Sequence, residues 1–371
     1  MEDSLPTAAD LRAAFDAAVD GTVGLEEELM LLDASTLDLA PRAVEVVSAL
    51  AADARFKLEM PAAQLEIVTA PHSSVAAAAR ELAGARADLA ATVGEDLRVA
   101  GAGAHPFAAG VGPLNPGPRY EAIGAEYATV ARRQLVFGLH VHVGVHGGDR
   151  AVAVHDALRS HLPDLAALAA NAPFYEGADS GLASVRSRIS GLLPRQGVPP
   201  ALGSLEGYAE ALRWAAFDDP RRWWWELRLH PTYGTVEVRV PDTQATVEGT
   251  AAIAEVVHAL VGRLAERHDA GEQLPVAEAW RIDHNRWSAC RHGVEGAMTD
   301  VVSGERRLTR DRLAALLDEL GGCHAARELL ARGGPATRQR AVAADRGLRG
   351  LVAWLADGFA PASVSSARSE G

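Results

Sequence analysis

Acidic residues and histidines occupy alternate positions in four segments that have the composition of β-strands. These residues are Glu26 and Glu28 in segment 21–33, Glu66 in segment 64–69, His140 and His142 in segment 134–146, and Glu237, with Arg239, in segment 234–240. Side chains two residues apart in a strand point to the same face of a sheet. Four strands that carry such groups on one face predict a sheet whose polar side is a functional site.

The residue types at these positions favour a site for hard divalent cations. Carboxylate oxygens with one or two imidazoles suit Mg²⁺ or Mn²⁺, whereas a zinc site usually needs three nitrogen or sulfur ligands with recognisable spacing. Simpler interpretations are also open. Glu26 and Glu28 are compatible with a charged surface strand, although acids are poor strand formers. Taken alone, His140 and His142 are compatible with two hydrogen-bonded histidines on a sheet face.

Arginines that could bind anions lie in two later segments. The Gly-, Pro- and Ser-rich segment SGLASVRSRISGLLPRQGVPP carries Arg186, Arg188 and Arg195. It is typical of a solvated loop, and the alternative is a mobile flap whose guanidinium groups bind phosphate or carboxylate. Three more arginines, Arg281, Arg286 and Arg291, recur at five-residue steps in segment 279–293. Because that step does not keep them on one helix face, we interpret the segment as the beginning of a helix with a functional edge.

Hydrophobic periodicity predicts the elements that must position these groups. Strands are predicted at residues 21–33, 64–69, 97–104, 134–146 and 234–240, and helices at residues 6–19, 43–52, 73–91, 151–170, 203–217 and 246–268. Residues 307–359 are rich in helix-forming residues. In the first strand, Glu27 shares the apolar face with Leu25 and Leu29. Three consecutive tryptophans, residues 223–225, are interpreted as core packing where a helix meets the sheet.

Composition and charge argue against several classes of protein. The chain has 371 residues and a formal net charge of −13 at pH 7, which argues against a general nucleic-acid binder. No run reaches the length and apolarity of a membrane span. The N-terminus lacks a signal-peptide core, so we expect a cytoplasmic protein without a membrane partner. Cys290 and Cys323 lie far apart in sequence and are expected to be reduced structural thiols.

Seven separated motifs carry a resemblance to a known family. In chain order they are GLEEELMLLD, LEMPAAQLEIVTAP, GAGAHPF, GLHVHVGV, SRISGLLPRQGVPP, WELRLHPTYGTVEVRVPDTQ and NRWSACRHG. Together they resemble the type 2 glutamate–cysteine ligase family, also called the carboxylate–amine ligase family, over about residues 20–295. No single motif would suffice, and the agreement of all seven makes the resemblance specific.

The resemblance implies an α+β fold related to the catalytic domains of glutamine synthetase and the guanidino kinases. In such a fold an antiparallel, saddle-shaped β-sheet holds ATP and Mg²⁺ (or Mn²⁺) on its concave face, and helices pack on its convex face. We expect residues 1–20 to be an N-terminal helix, residues 21–360 a single catalytic domain and residues 361–371 a disordered tail. Because an edge strand invites pairing, a homodimer is the expected assembly.

The resemblance also implies roles for individual residues. The expected metal ligands are Glu26, Glu28, Glu66, His140 and Glu237. Glu237 and Arg239 are the expected catalytic residues, and Arg239 is expected to reach the transferring phosphate. Further candidates for binding ATP or a substrate carboxylate are Arg188, Arg286 and Arg291, and further candidates for substrate contact are Glu59, His142 and Trp287. Glu226 stands where the family often has Asp and is expected to lie outside the chemistry.

The activity implied is ATP-dependent amide formation through an acyl phosphate, from a small-molecule acid and amine. Glutamate is the expected acyl donor and cysteine the default amine. A triphosphate concentrates negative charge, and the acids and arginines fit the metals and cationic groups that this chemistry needs. Three alternatives stay open: a ligase of the same chemistry for another acid and amine in specialised metabolism, a small-molecule phosphotransferase, and a non-catalytic metal- or nucleotide-binding protein.

Overall fold

The computed structural model describes residues 5–50, 53–215 and 223–359. Its main element is an antiparallel sheet of seven strands. The strands are β1 (Val23–Asp33), β2 (Phe56–Leu58), β3 (Gln64–Val68), β4 (Leu97–Ala100), β5 (Leu139–Gly144), β8 (Leu227–His230) and β9 (Thr235–Val238). Two small hairpins lie apart from it, β6 (Phe174–Tyr175) with β7 (Ala178–Asp179) and β10 (Ala297–Thr299) with β11 (Arg306–Leu308).

The central strand is β1, whose 11 residues pair with three neighbours. Residues 23–27 pair with β5, residues 26–30 with β3 and residues 30–33 with β4. The strand order is β2-β3-β1-β5-β9-β8, with β4 joined to β1. The order brings all four segments of acids and histidines into adjacent strands, and the predicted α+β fold with an antiparallel sheet is confirmed.

Fourteen α-helices occur in the described parts of the chain. They are α1 (Ala8–Asp16), α2 (Ala43–Ala49), α3 (Val75–Thr92), α4 (Pro118–Tyr127), α5 (Thr129–Arg132), α6 (Gly148–Leu158), α7 (Leu162–Ala169), α8 (Arg186–Ser190), α9 (Leu205–Trp214), α10 (Val247–Asp269), α11 (Ala279–His292), α12 (Thr309–Leu320), α13 (His324–Ala331) and α14 (Gly334–Phe359). Gly347, with φ of 66°, interrupts the helical geometry of α14.

Helices cover one face of the sheet. α3 contacts β1 and β3, α10 contacts β5, and α6 contacts β8 and β9. The sheet residues on this side are apolar and buried: Leu25, Leu29, Leu65, Ile67, Val141, Val143, Val236 and Val238. The period-two alternation of the strands thus directs their apolar side chains toward the helices and leaves the acids and histidines on the opposite face.

Glu27 is a charged residue on the apolar face, and its carboxylate is fully paired. Arg86 of α3 donates two hydrogen bonds to it, at 2.9 and 2.8 Å, and the Thr250 hydroxyl of α10 donates a third. Arg86 also donates to the backbone carbonyls of Gln244 and Phe359. Because both charges are buried, the pair ties β1 to α3, α10 and the end of α14, and neither partner can be lost without leaving the other unpaired.

Several elements differ from the sequence prediction. The helix predicted at 151–170 is divided by a 3₁₀ turn, Arg159–His161, and α7 then begins with Pro163 in its first turn, where no N–H is needed. The strand predicted at 134–146 is regular only over Leu139–Gly144. The short strand β2 and the strand β8 were not predicted. β8 pairs with β9 as a hairpin, and its turn uses Gly234 with φ of 60°.

The N-terminal helix shares the main core of the protein. Leu11 and Phe15 of α1 are buried in the same cluster as the sheet residues, and α1 contacts α6 and α9. Cys290 and Cys323 are buried free thiols. Residues 361–371, predicted as a tail, lie outside the described residues. Among the helices that the structure describes, none combines the length and apolarity needed to cross a membrane.

Candidate active site

Strand pairing brings the acids and histidines together on the polar face of the sheet. Glu26 of β1 lies opposite His140 of β5, and Glu28 lies opposite Glu66 of β3. On the other side of β5, His142 lies opposite Glu237 of β9. Antiparallel neighbours at these spacings have side chains in contact, so the four predicted segments contribute to a single site.

The site residues are buried, which makes the surface-strand interpretation wrong. Glu237 is 0% exposed and His140 only 3%, and the side chains of Glu26 and Glu28 are each 14% exposed. Buried charges need partners or bound ions. The polar face is therefore a desolvated site in which every carboxylate has to be offset by a cation, a proton or a hydrogen bond.

Two groups of potential metal ligands share Glu26. The first consists of Glu26, Glu66 and His140, and the second of Glu26, His142 and Glu237. Within each group the ligand atoms lie within 4.8 Å of one another. The Glu26 carboxylate lies 3.0 Å from His140 Nδ1 and 3.3 Å from His142 Nε2. A set of carboxylate oxygens with one imidazole per group matches the preference of Mg²⁺ or Mn²⁺.

The electrostatics of the first group favour a bound cation. Burial, together with the nearby Glu26, Glu59 and Glu28, raises the pKa of Glu66 well above its usual range. Burial also raises the pKa of Glu28 to about 7, although Arg186 opposes that shift. A divalent cation would relieve this repulsion. The His140 imidazole fits the same role, because burial and Arg239 lower its pKa to about 4 and keep its ring neutral.

Arg228 and Arg239 hold Glu237 in its ionised form. Arg228 of β8 donates two hydrogen bonds to the Glu237 carboxylate, at 2.7 and 2.9 Å, and Arg239 donates to one of its oxygens. Although burial opposes ionisation, Arg228, Arg239 and His142 hold the pKa of Glu237 well below its usual range. Arg228 was not among the predicted site residues. The alternation in Leu227–His230 is the sequence signal that points to it, since it places Arg228 and His230 on one face.

A first cavity opens beside Glu28 and His140. Its charged lining consists of Glu28, Glu59, Glu226, Arg119, Arg186 and Arg239. The rest of the lining combines apolar residues, among them Tyr120, Ile123, Leu193 and Trp224, with the polar residues Gln64, Gln134, Ser187, Ser190 and Gln196. We call this space the substrate cavity. Its mixture of carboxylates, guanidinium groups and apolar surface is suited to a small organic ion with both charges.

Arg186 is fixed in the substrate cavity by contacts that sequence analysis did not anticipate. Its guanidinium donates to the backbone carbonyls of Arg239 and Val240, each at 3.2 Å, and lies 3.9 Å from the Asp242 carboxylate. A Cβ at Gly138 would lie 2.8 Å from the guanidinium carbon, so only glycine leaves room for it. The segment carries three arginines in similar surroundings, and nothing local distinguishes Arg186 from its neighbours.

The other predicted arginines lie elsewhere. Arg188 stacks on Trp287, with its guanidinium carbon 5.9 Å from the ring centre, and neither side chain lines the substrate cavity. Arg291 donates to the Gly181 carbonyl and lines a separate cavity. Arg286 is buried and donates two hydrogen bonds to Glu226, one of them at 2.7 Å. Arg286 thus positions Glu226 at the cavity wall.

Glu59 and Glu226 both reach the substrate cavity. Burial raises the pKa of Glu59, although Arg119 opposes that shift. Glu226 was expected to lie outside the chemistry, and the structure places it at the cavity wall, where Arg286 holds its carboxylate. A sequence motif cannot show this, since the ion pair joins residues 60 positions apart.

A second cavity opens at the other end of the same polar face. Its lining residues are Thr22, Gly24, Leu25, Glu26, Val68, Thr69, Pro71, His142, Tyr233 and Thr235. The Tyr233 ring stacks on His230 at a centroid distance of 4.3 Å. Glu26 and His142 line the second cavity and Glu28 and His140 line the substrate cavity, so the potential metal ligands lie between the two spaces.

The amino-acid sequence is similar to those of a known protein family. A family model described as glutamate–cysteine ligase family 2 matches residues 22–353. A Rubrobacter xylanophilus protein named "Putative glutamate--cysteine ligase 2-3" is 37% identical, over 94% of this chain and 100% of its own length. A Gloeobacter violaceus protein named "Putative glutamate--cysteine ligase 2" is 33% identical, over 92% of this chain and 97% of its own length.

Two solved structures share the fold. One is a glutamate–cysteine ligase from Francisella tularensis in complex with AMP, with a TM-score of 0.69, 13% identity, and coverage of 91% of this chain and 88% of that one. The other is a bifunctional glutathione synthetase from Pasteurella multocida, with a TM-score of 0.67, 16% identity, and coverage of 95% of this chain and 53% of that one. At this level of identity the likeness concerns the fold alone.

Proposed function

This chain belongs to glutamate–cysteine ligase family 2, an ATP-dependent family that forms amide bonds, and we propose that it does so through an acyl phosphate. The observation that carries the proposal is the buried polar face, where Glu26, Glu66, His140, His142 and Glu237 converge beside Arg239. A non-catalytic binding protein would have no need of a guanidinium held against this cluster.

The proposed reaction has two steps, phosphorylation of the acid and displacement of phosphate by the amine. A carboxylate oxygen of the acid attacks the γ-phosphorus of ATP, a new oxygen–phosphorus bond forms, and ADP leaves. The amine then attacks the acyl carbon, phosphate leaves with the oxygen from the acid, and the amine gives up a proton. Both steps pass through states rich in negative charge, and positioned cationic groups stabilise such states most strongly where water is excluded.

Individual residues have distinct roles in this proposal. Glu26, Glu66 and His140, and Glu26, His142 and Glu237, would hold divalent cations, whose chemical contribution is to neutralise the phosphate oxygens. Glu28 remains a proposed ligand at the edge of the first group. Arg239, oriented by Glu237, is proposed to bind the transferring phosphoryl group. Arg186 is proposed to assist it from the neighbouring wall of the substrate cavity.

The two cavities are proposed to bind different substrates. The second cavity has an apolar lining and an accessible aromatic ring, Tyr233, which is 54% exposed. These features suit a nucleobase, so we assign ATP to that side. The substrate cavity has guanidinium groups and carboxylates, which suit the acid and the amine. Phosphoryl transfer would then take place between the two, at Glu26 and Arg239.

Phosphate release from ATP and Mg²⁺, measured with panels of acids and amines singly and in pairs, tests the proposal. We expect release to require both an acid and an amine, with glutamate the first acid to examine, and mass spectrometry to show the amide. A stable phosphorylated product without amide would identify a phosphotransferase instead. Absence of nucleotide binding would refute the ligase assignment for this chain.

A further inference from the structure

We infer that the amine substrate of this ligase carries an apolar or aromatic side chain. The inference rests on the proposed function and concerns one surface of the substrate cavity. Tyr120, Ile123, Leu193 and Trp224 form this surface, which we call the apolar wall. An amine substrate that fits this wall would have a side chain larger and less polar than that of cysteine.

The substrate cavity has a charged floor and an apolar wall made by different elements. Glu28 and Arg239, on the floor, belong to the sheet and its extension, whereas Tyr120 and Ile123 belong to α4. A spacing of three residues places both α4 side chains on the same face of the helix. The acid must react at the floor, beside Arg239 and the metal ligands, so the apolar wall is left for the second substrate.

The wall consists of apolar and aromatic residues, and Ile123 and Trp224 supply most of its accessible surface, because Tyr120 and Leu193 are buried. The Tyr120 hydroxyl donates a hydrogen bond of 2.6 Å to the Leu58 carbonyl, so its polar atom is used by the backbone. The Leu193 side chain is buried. A small or polar amine substrate would leave this surface in contact with water, whereas an apolar side chain would remove it from water.

The position of Trp224 is set by neighbours outside the cavity. Tyr127 meets its ring edge to face at a centroid distance of 5.6 Å, and the Arg195 guanidinium carbon lies 5.4 Å from the ring centre. Arg195 also donates to the Tyr127 hydroxyl at 3.2 Å. Arg195 has a positive φ of 58°, a conformation that non-glycine residues rarely adopt. Such strain is retained where the surroundings require it, here to hold Trp224 at the cavity wall.

Steady-state kinetics with a panel of amines test the inference. With ATP, Mg²⁺ and glutamate, the panel contains leucine, phenylalanine and phenethylamine, and cysteine, serine, alanine and ammonia for comparison. Because each methylene group in an apolar pocket is worth roughly 10-fold or more in specificity, we expect kcat/KM for the best apolar amine to exceed that for cysteine by at least about 10-fold. Product mass identifies each amide.

Variants of the wall separate its role from a general loss of activity. Trp224→Ala should raise KM for the apolar amine by about 10-fold or more and leave KM for ATP unchanged. Ile123→Ser provides a second test if Trp224→Ala does not fold. Trp280→Ala is the matched control, because Trp280 is 67% exposed on α11 and does not line the cavity. It should alter neither constant.

The outcomes for the inference and for the proposed function are distinguishable. If cysteine or serine is the best amine, and Trp224→Ala and Ile123→Ser leave its KM unchanged, the inference is overturned while the ligase proposal stands. If no pair of acid and amine releases phosphate, the ligase proposal fails and the inference fails with it. A preference for apolar amines that both wall variants abolish would support the inference.

Discussion

Glu237 is the residue on which most charges of the site converge. Two guanidinium groups donate to its carboxylate, and it lies 3.9 Å from His142 Nε2 and 4.0 Å from His140 Nδ1. The guanidinium groups allow a carboxylate with no exposed surface to stay ionised. In the proposed mechanism Glu237 therefore has two tasks, since the group that would bind a cation would also orient Arg239 toward the transferring phosphate.

Replacing Glu237 by Gln keeps the shape of the side chain and removes its charge. We expect ATP turnover to fall at least about 100-fold, because an oriented guanidinium and a metal charge are both affected. The free energy of unfolding should fall by about 3–5 kcal/mol, because Arg228 and Arg239 lose their buried counter-ion. Phosphate release and urea denaturation measure the two effects.

Glu266→Gln is the control for Glu237→Gln, because Glu266 lies on α10 with 73% of its side chain exposed. It should change neither turnover nor stability. Wild-type turnover in the Glu237→Gln protein would contradict the proposed metal site.

The cluster of Glu26, Glu28, Glu59 and Glu66 predicts stabilisation by divalent cations. Burial and mutual repulsion raise the pKa values of the last three, and a bound cation would relieve that repulsion. We expect Mg²⁺ to raise the melting temperature, with about 2.7 kcal/mol of stabilisation at 100 times its Kd. Differential scanning fluorimetry with Mg²⁺, Mn²⁺ and EDTA measures this. Equal stabilisation by NaCl at matched ionic strength would contradict a specific site.

At the scale of elements, β1 separates two kinds of carboxylate at adjacent positions. Glu26 points to the polar face beside His140, and Glu27 points to the helices, where Arg86 and Thr250 pair with it. Both side chains are acids in a strand, and only the alternation of the strand assigns one to the proposed chemistry and the other to the core.

Substitutions at these two positions should therefore give opposite results. Glu26→Gln should reduce ATP turnover at least about 100-fold and change stability little in the presence of Mg²⁺. Glu27→Gln should lower the free energy of unfolding by about 3–5 kcal/mol, because Arg86 loses its charged partner in the core. The folded fraction of Glu27→Gln should keep the wild-type KM for ATP. Similar effects of both variants on turnover per folded molecule would contradict the separation of roles.

Gly138, just before β5, is a position at which the absence of a side chain affects the site. Gly138 lies against the Arg186 guanidinium, and its N–H also donates to Glu28. Gly138→Ala should displace Arg186, because the end of a long side chain moves more easily than a strand. We expect activity to fall to about the level of Arg186→Lys, since a guanidinium fork and an ammonium are not equivalent.

Gly84→Ala is the control for Gly138→Ala, because a Cβ at Gly84 in α3 meets no atom within 4 Å. It should leave activity unchanged and stabilise the helix by about 1 kcal/mol. Full activity of Gly138→Ala, or a loss matched by an equal loss of folded protein, would contradict the role proposed for Arg186.

At the scale of the whole molecule, the sheet carries one continuous site with a cavity at each end. Helices α3, α6 and α10 cover the opposite face. In the proposed assignment, ATP lies on one side of the potential metal ligands and the acid and amine lie on the other, so that only the reacting groups meet.

The two ends of the sheet bear on the predicted assembly of the molecule. β2 and β8 end the strand order in the described part of the chain. The residues of β8 are buried, and its Leu229 carbonyl accepts a hydrogen bond from Tyr208. Edge strands can pair with a second copy, so β2 is the edge left for such pairing, and the homodimer stays a prediction. Static light scattering at several concentrations should give about 78 kDa, twice the 39.0 kDa of one chain. A concentration-independent mass of 39.0 kDa would contradict it.

The amino-acid sequence by itself determined which strand residues face the site. Glu26, Glu28, Glu66, His140, His142 and Glu237 were recognised because side-chain alternation in a strand is a local property, visible at a spacing of two. The motifs around them also identified the family, which the family model and the relatives confirm. Helices were predictable for the same reason, since their periodicity lies within one segment.

Only the tertiary structure decided which arginine side chains and which cavities lie beside these residues. Arg228 reaches Glu237 through a hairpin, and Arg286 reaches Glu226 across 60 positions. Arg186, rather than Arg188, enters the cavity because a distant glycine leaves space for it. The apolar wall combines α4, a loop and Trp224. Apart from the Arg228–Glu237 pair, whose residues are only 9 positions apart, these are contacts between segments far apart in the chain. The spacing of residues within one segment carries no information about them.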